Sequence, residues 1–414
     1  MRLPEFAPSS RKLHKTRPYM RGTDVRYVQQ FLKWFGLYHG KVDGIFGPET
    51  ENAVKRFQSF IKIKPAGVAD EKLFEILQKM IKGGAGEWVT LKKDFYHSAY
   101  SPVLLSGDLE ATKLLKVKEP VALVAKRNVV FTADESYIGA FDLKSGKFMW
   151  KSEKITPFSI SLASDRVLVS ASDLVAVDAL SGKTSFKVDG DVFDAPAVAH
   201  GGVIYASSRS GAVYALNHRG EMLWRFGTRT NHITPLACAL GFLYFGSISY
   251  VCCLDEKGTI YWKTRLPGLI KEPLSVYENK VFAVSGEGSI FTLDAIKGKM
   301  IWKRNFGEAI LAPCFLGESV IIVTTGGKVI SLDTEDGRVN WQEDVNATPA
   351  TPPLACADAI FIGTDAGLVV LKPNGVKIKT YFEGKRISHV IQARLGLIVA
   401  AEGFLWELSP LELK

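Results

Sequence analysis

The chain has no run approaching the roughly 18 uninterrupted apolar residues that a membrane-crossing helix needs, so no transmembrane segment is expected. Residues 1–20 are basic and polar with no apolar stretch of the secretory-signal kind. The expectation is therefore a cytoplasmic chain, export by another route, or a signal already removed. Cysteine is sparse and odd in number: Cys238, Cys252, Cys253, Cys314 and Cys356. Five thiols in 414 residues do not make a disulfide framework, and no C-x-x-C pair offers a zinc site. The seven histidines are scattered, without H-E-x-x-H or a similar pair. G-x-S-x-G elbows and P-loops are also missing, so no metal site is expected and no catalytic residue is assigned.

What is present is globular: 47% apolar and 23% charged residues, ample for a core. Of the net charge of +9, residues 1–84 supply +8 (16 Lys+Arg against 8 Asp+Glu), leaving +1 (36 against 35) for the rest. So concentrated a charge favours anionic polymers or surfaces, unless it only solubilises a face.

From residue 140 onward one pattern recurs. It runs Ala140-x-Asp142-x-x-x-Gly146-x-x-x-Trp150, then Ala176, Asp178, Gly182 and Phe186 at the same spacing. Two copies are shorter by one residue: Ala215, Asn217, Gly220, Trp224, and Cys253, Asp255, Gly258, Trp262. Full-length copies return at Thr292, Asp294, Gly298, Trp302 and at Ser331, Asp333, Gly337, Trp341, followed by a worn one at Val370, Lys372, Gly375, Lys379. The aromatic positions lie 36, 38, 38, 40 and 39 residues apart, and five of the eight tryptophans occupy this one slot.

Each unit contains short apolar runs divided by Gly, Asn and Asp turns, the sign of a four-stranded meander. Four strands in about forty residues predict propeller blades. The acidic residue is expected to cap backbone N–H groups of the following turn, and the glycine to supply positive φ. The tryptophan is expected between blades, burying about 200 Å² or roughly 5 kcal/mol gross. Seven units are complete, and an eighth, from Ile387, lacks its last strand. Residues 108–117 resemble an orphan last strand with Leu115 in the tryptophan slot, so they are expected to complete blade eight and close the ring.

The predicted organisation is mainly β: a basic arm (1–20), a small three-helix domain (21–82), a linker (83–105) containing Gly83-Gly84 and Tyr100-Ser-Pro102, and an eight-bladed β-propeller (106–414).

The helical segment carries Arg21-Gly22-x-Asp24-Val25, Gln29-x-x-Leu32, Gly36, Val42-Asp-Gly-x-Phe-Gly47, Thr50, Ala53-Val54 and Phe57-Gln58. In these residues it resembles the three-helix peptidoglycan-binding domain, departing from it at Pro65-Ala66-Gly67-Val68. The resemblance implies that a shallow groove beside the 43–50 loop recognises glycan or stem peptide. Tyr38 and Phe46 then offer faces for sugars, and Asp43 and Asn52 hydrogen-bond hydroxyls. The competing reading is that Asp43, Gly44 and Gly47 shape the loop and Phe46 fills the core. The partner expected for 21–82 is peptidoglycan or another anionic wall polymer, not nucleic acid.

The repeat resembles the pyrroloquinoline-quinone (PQQ) propeller family, which holds quinoprotein dehydrogenases and cofactor-free members. The dehydrogenase alternative would make this a PQQ-dependent oxidoreductase, and the adjacent Cys252-Cys253 invites comparison with a vicinal disulfide over that cofactor. Here, however, the pair sits in a predicted strand, so its side chains point to opposite faces. Units of 36–40 residues also leave no insertion for a cofactor chamber. The expectation is a protein without a cofactor, a wall-associated scaffold whose propeller face presents a surface to a protein partner, in the cell envelope or on a spore.

Overall fold

The computed structural model describes residues 11–34, 38, 40–61, 63–82, 87–90, 93–94, 97–101, 103–153 and 155–411. Residues 1–10, Gly36, Gly83, Gly84 and Pro102 lie outside them. Three helices, α1 (Thr23–Trp34), α2 (Pro48–Phe60) and α3 (Glu71–Lys82), precede eight β-sheets. Pro48 at the first turn of α2 suits its preset φ, and Glu49 and Glu51 face the positive end of the helix dipole. Val25, Val28, Val54, Phe57, Leu73 and Leu77 form the helical core. Part of the stretch read as a basic arm belongs to this fold. Leu13 is fully buried and bridges Ala69, Arg11 pairs with Asp24 at 2.7 Å, and Lys15 pairs with Glu51 at 3.3 Å.

The eight sheets are the blades of a propeller, and in seven of them consecutive strands lie side by side. In blade 1 they are Ala122–Lys126, Val129–Ala133, Ile138–Asp142 and Lys147–Ser152. Inner strands are apolar on both faces, whereas outer ones such as Lys147–Ser152 alternate exposed and half-buried residues. The eighth sheet joins the chain's last three strands, Ile387–Ala393, Gly396–Ala401 and Phe404–Pro410, to Leu109–Lys116, which runs antiparallel to Phe404–Pro410. The ring is closed by the expected strand, and the free edge of that sheet is paired.

The seams between blades show what the repeat is for. Trp150 donates its indole N–H to the Ala179 carbonyl of the next blade at 2.9 Å, and its ring lies on Gly182. Trp224, Trp262, Trp302 and Trp341 do the same to Glu256, Ala295, Thr334 and Pro373, over Gly258, Gly298, Gly337 and Gly375. Phe186 covers Gly220 without a donor. Glycine is thus required twice at each turn. At Gly298 φ is +66°, and a Cβ there would stand 2.5 Å from the Trp262 ring. The acidic residues cap the turns as expected: Asp178 accepts from Ser181 N at 2.7 Å, Asp294 from Lys297 N at 2.6 Å and Asp333 from Glu335 N at 2.7 Å. In blades 1 to 7 a bulge stands before the slot in the outer strand, turning the slot residue toward its neighbour, whereas in blade 8 it lies beyond that position, between Lys113 and Leu115.

Two seams lack an aromatic. Lys379 fills the slot at the seam of blades 7 and 8, pairing with Asp108 at 3.5 Å, while Tyr381 Oη accepts from Leu109 N at 3.0 Å. At the seam of blades 8 and 1 the expected Leu115 is not in the slot: it stands opposite Leu405, three residues further along. The slot position, opposite Glu407, is Thr112, with nothing within 4 Å of the Cβ position on Gly146.

Candidate functional site

In the helical module the loop before α2 is held from beneath by Gln29, a fully buried residue. Its Oε1 accepts from Gly44 N at 2.8 Å, and its Nε2 lies 2.9 Å from Asp43 Oδ1, 3.0 Å from the Ile45 carbonyl and 3.1 Å from both Tyr38 Oη and Thr50 Oγ1. Gln58 repeats the device one helix later, accepting from Gly67 N at 2.7 Å and donating to the Val68 carbonyl at 2.8 Å. Gly44 and Gly67 have φ of +76° and +72°, so both loops make the same left-handed turn. A single polar side chain buried on a helix facing a glycine loop was the available signal for this role.

Of the four candidate glycan contacts, Asp43 and Asn52 are exposed, Tyr38 is buried and Phe46 is fully buried. Tyr38 donates its hydroxyl to the Lys41 carbonyl at 2.8 Å. Phe46 packs in the core and presents no ring face to a sugar. Burial would raise the Asp43 carboxyl, but the Gln29 amide, the Ile45 N–H and the Arg21 charge outweigh it and hold the group below its ordinary range. Replacing Gln29 with leucine is expected to cost about 2–4 kcal/mol by orphaning the groups it joins. Faster hydrogen exchange at the Gly44 and Ile45 amides of the full chain checks this.

The ring's axis is occupied by the chain itself. Glu87–Trp88 pairs with the inner strand of blade 1, and the Val89 carbonyl accepts from Leu162 N in blade 2 at 2.8 Å. His97 Nδ1 meets the Leu274 carbonyl of blade 5 at 2.9 Å, and Phe315 N of blade 6 donates to Ser98 O at 3.2 Å. Tyr100–Ser101 runs parallel to Leu354–Cys356 of blade 7. Asp358 then fixes the way out, accepting from Leu105 N at 2.6 Å and Ser106 N at 3.1 Å. The stretch expected as a linker thus crosses the channel from one side to the other.

Above this plug lies a cavity of about 270 Å³ whose lining includes Ala99, Val121, Ile160, Glu272, Pro353 and His389. His389 hydrogen-bonds the Val121 backbone, and its buried Nδ1 has no partner. Burial, only partly offset by Glu119 and the Val121 bond, lowers the imidazole's pKa from its ordinary 6.5. The unfolded chain therefore binds this proton first as pH falls. Stability is full above about pH 6.5 and declines below it, toward the lower folded value. A melting temperature that drops on acidification through this window, with a shallower drop in His389→Gln, is the expected result.

Comparison with known proteins places both parts. The family model described as outer membrane protein assembly factor BamB matches residues 134–241, 209–354 and 248–382, together more than half of the chain. The chain belongs to this BamB-type propeller family. The model for the putative peptidoglycan binding domain matches residues 21–77. BamB of Nitrosomonas eutropha is 28% identical over 153 residues, covering 35% of this chain and 37% of that protein. The N-acetylmuramoyl-L-alanine amidase CwlH of Bacillus subtilis is 38% identical over 61 residues, 13% of this chain and 24% of the amidase. The chain thus spans little more than a third of one relative and a quarter of the other. Among solved structures, BamB from Moraxella catarrhalis superposes with a TM-score of 0.62 at 16% identity, covering 73% of this chain and all of that one. Quinohemoprotein alcohol dehydrogenase from Comamonas testosteroni reaches 0.63 at 13% identity, covering 80% and 82%. At these identities the superpositions show a shared fold alone.

This BamB-type ring does not fit the quinone that the dehydrogenases carry. PQQ is a tricarboxylate, whereas the axial cavity has one charged lining residue, Glu272, of the same sign. The floor of that cavity is the chain's own Ala99, and among the described residues no group of His, Cys, Asp and Glu could hold a metal ion. Cys252 and Cys253 are free and point into different apolar clusters, with Cys253 opposite Trp262. Burial pushes their thiols up to about 11 and about 12, so neither is a ready nucleophile.

Proposed function

We propose that the protein is a non-catalytic scaffold of the cell envelope, its N-terminal module holding peptidoglycan and its ring presenting a surface to a protein partner. The observation that carries this reading is the joining of a peptidoglycan-binding-type domain to a BamB-type ring whose axis is filled by its own chain. With the axis occupied, the ring's outer faces are the places left for recognition, and rigid blades suit the display of a surface. The relatives' printed names agree with both halves, one an assembly factor and the other an enzyme of muramoyl peptides. In the module, the exposed Asp43 and Asn52 beside the clamped loop are the proposed contacts to wall hydroxyls and amides.

The test is sedimentation of the full chain with purified sacculi. It is expected to pellet with them, to be released by muramidase digestion, and to pellet less when Asp43 and Asn52 are both alanine. A full chain that stays in the supernatant overturns the wall-binding half of the proposal.

A further inference from the structure

Strands alternate direction within each blade, so every turn between a third and a fourth strand emerges on the same face of the ring. Around the perimeter of that face, the two residues before the docking tryptophan are apolar and exposed in three successive blades. They are Met222 (62%) and Leu223 (53%), Ile260 (45%) and Tyr261 (53%), and Met300 (43%) and Ile301 (44%). The inward side chain of each set, the tryptophan, is consumed by the seam, and the bulge turns its predecessor outward. Tyr261 rests against Phe242 of its own blade at 4.6 Å, but all six side chains keep roughly half of their surface in solvent, an exposed apolar arc of the kind that marks an interaction surface.

Charge gathers on the same arc. Residues 217–227, 255–265 and 294–305 carry nine Lys+Arg against four Asp+Glu, a net +5, although residues 85–414 as a whole carry only +1. Two of the four acids, Asp255 and Asp294, are turned inward to cap turns, accepting from Lys257 N at 3.0 Å and Lys297 N at 2.6 Å. All nine cations are exposed, and among the described residues none is ion-paired with a carboxylate. The matching stretch of blade 6, residues 333–344, holds one Arg against five acids and is −4. The matching stretches of blades 1 and 7, residues 142–152 and 372–381, are +2 and +3, so blade 6 interrupts a largely basic rim and the apolar arc lies within its basic part.

We propose that the rim of blades 3 to 5 lies against an anionic lipid surface. Exposed aliphatic tips interleaved with lysine and arginine match an interface where acyl chains begin beneath phosphate headgroups. Ile260 lines a cavity of about 500 Å³ with Phe226, Lys263 and Arg265, whereas the other five tips lie outside it in an arc along the rim, an extended arrangement that favours a lipid plane over an acidic protein. This goes beyond the wall-binding reading and does not depend on it, because the residues belong to the ring.

The test is co-sedimentation of the full chain with phosphatidylcholine vesicles, with and without phosphatidylglycerol. Binding is expected only to the anionic vesicles, and it should fall about tenfold when Leu223, Ile260 and Ile301 are together changed to serine. If that variant fails to melt like the wild type, Lys297→Gln with Lys299→Gln provides the second measurement, with weaker binding expected. Failure of the full chain to pellet with anionic vesicles overturns the proposal. So does binding unchanged by the variants, which assigns the contact to the basic N-terminal residues instead. Binding to soluble polyglutamate without binding to vesicles also overturns it, in favour of an acidic protein.

Discussion

Deleting residues 106–117 is expected to abolish the cooperative melting of the ring. Leu109–Lys116 is the fourth strand of blade 8 and pairs along the whole of Phe404–Pro410. Without it the last blade has a bare edge, and the seams on either side of that blade already lack an aromatic lock. What then holds blade 8 is the inner strands and the Lys379–Asp108 pair, and the deletion removes Asp108 as well. An exposed ion pair contributes little, roughly 0–1 kcal/mol, and cannot substitute for lost strand pairing. The loss should therefore spread beyond one blade, since each blade is supported by two neighbours and an open ring leaves two of them with one. Differential scanning calorimetry of the full chain and the deletion checks this. A deletion that melts with unchanged temperature and enthalpy refutes closure by this strand. The point substitution Thr112→Trp, at the slot position opposite Glu407, has the opposite expectation. Gly146 keeps its φ of +67° with open space above it, so an indole placed there should raise the melting temperature.

The closing strand was legible because the repeat sets a count: seven complete units and one lacking its last strand leave a single vacancy, and residues 108–117 fit it. The plug was not legible by the same means. Glu87–Trp88 and Tyr100–Ser101 are two residues each, too short to show a period, and the glycines and proline around them read as loop. Their partners, Ala125 and Ala355, are ordinary inner-strand residues with no mark of an extra neighbour. In the helical module the motif located the loop, but motif spacing cannot say which side of a ring faces solvent. Phe46 and Tyr38 look equally able to stack on a sugar until their burial is known. The apolar rim was hidden for a related reason. Met300 and Ile301 precede a tryptophan in an outer strand, where alternation alone would bury one of the two; the bulge that exposes both is not written in the pattern.

Trp302→Ala is the point substitution with the largest expected cost, about 3–5 kcal/mol. Trp302 is the most enclosed of the docking indoles at 8% exposure, edge-on to Phe282 at 6.1 Å, with its N–H on the Thr334 carbonyl at 3.1 Å. Its removal opens a cleft between blades 5 and 6 and takes a partner from that carbonyl. Trp302→Phe should cost less, because Phe186 already fills the same slot over Gly220 without a donor. The interlock with glycine makes a sharper test. In the intact protein Gly337→Ala meets two penalties, a φ of +69° and a Cβ 2.6 Å from the Trp302 ring. In the Trp302→Ala background the ring is gone, leaving only the backbone penalty of about 1 kcal/mol. The double substitution should then be less destabilising than the sum of the two single ones, and denaturant titrations of all four proteins measure the difference. Strict additivity would mean that the indole does not rest on the glycine, and that the repeat's Gly–Trp spacing records turn geometry alone.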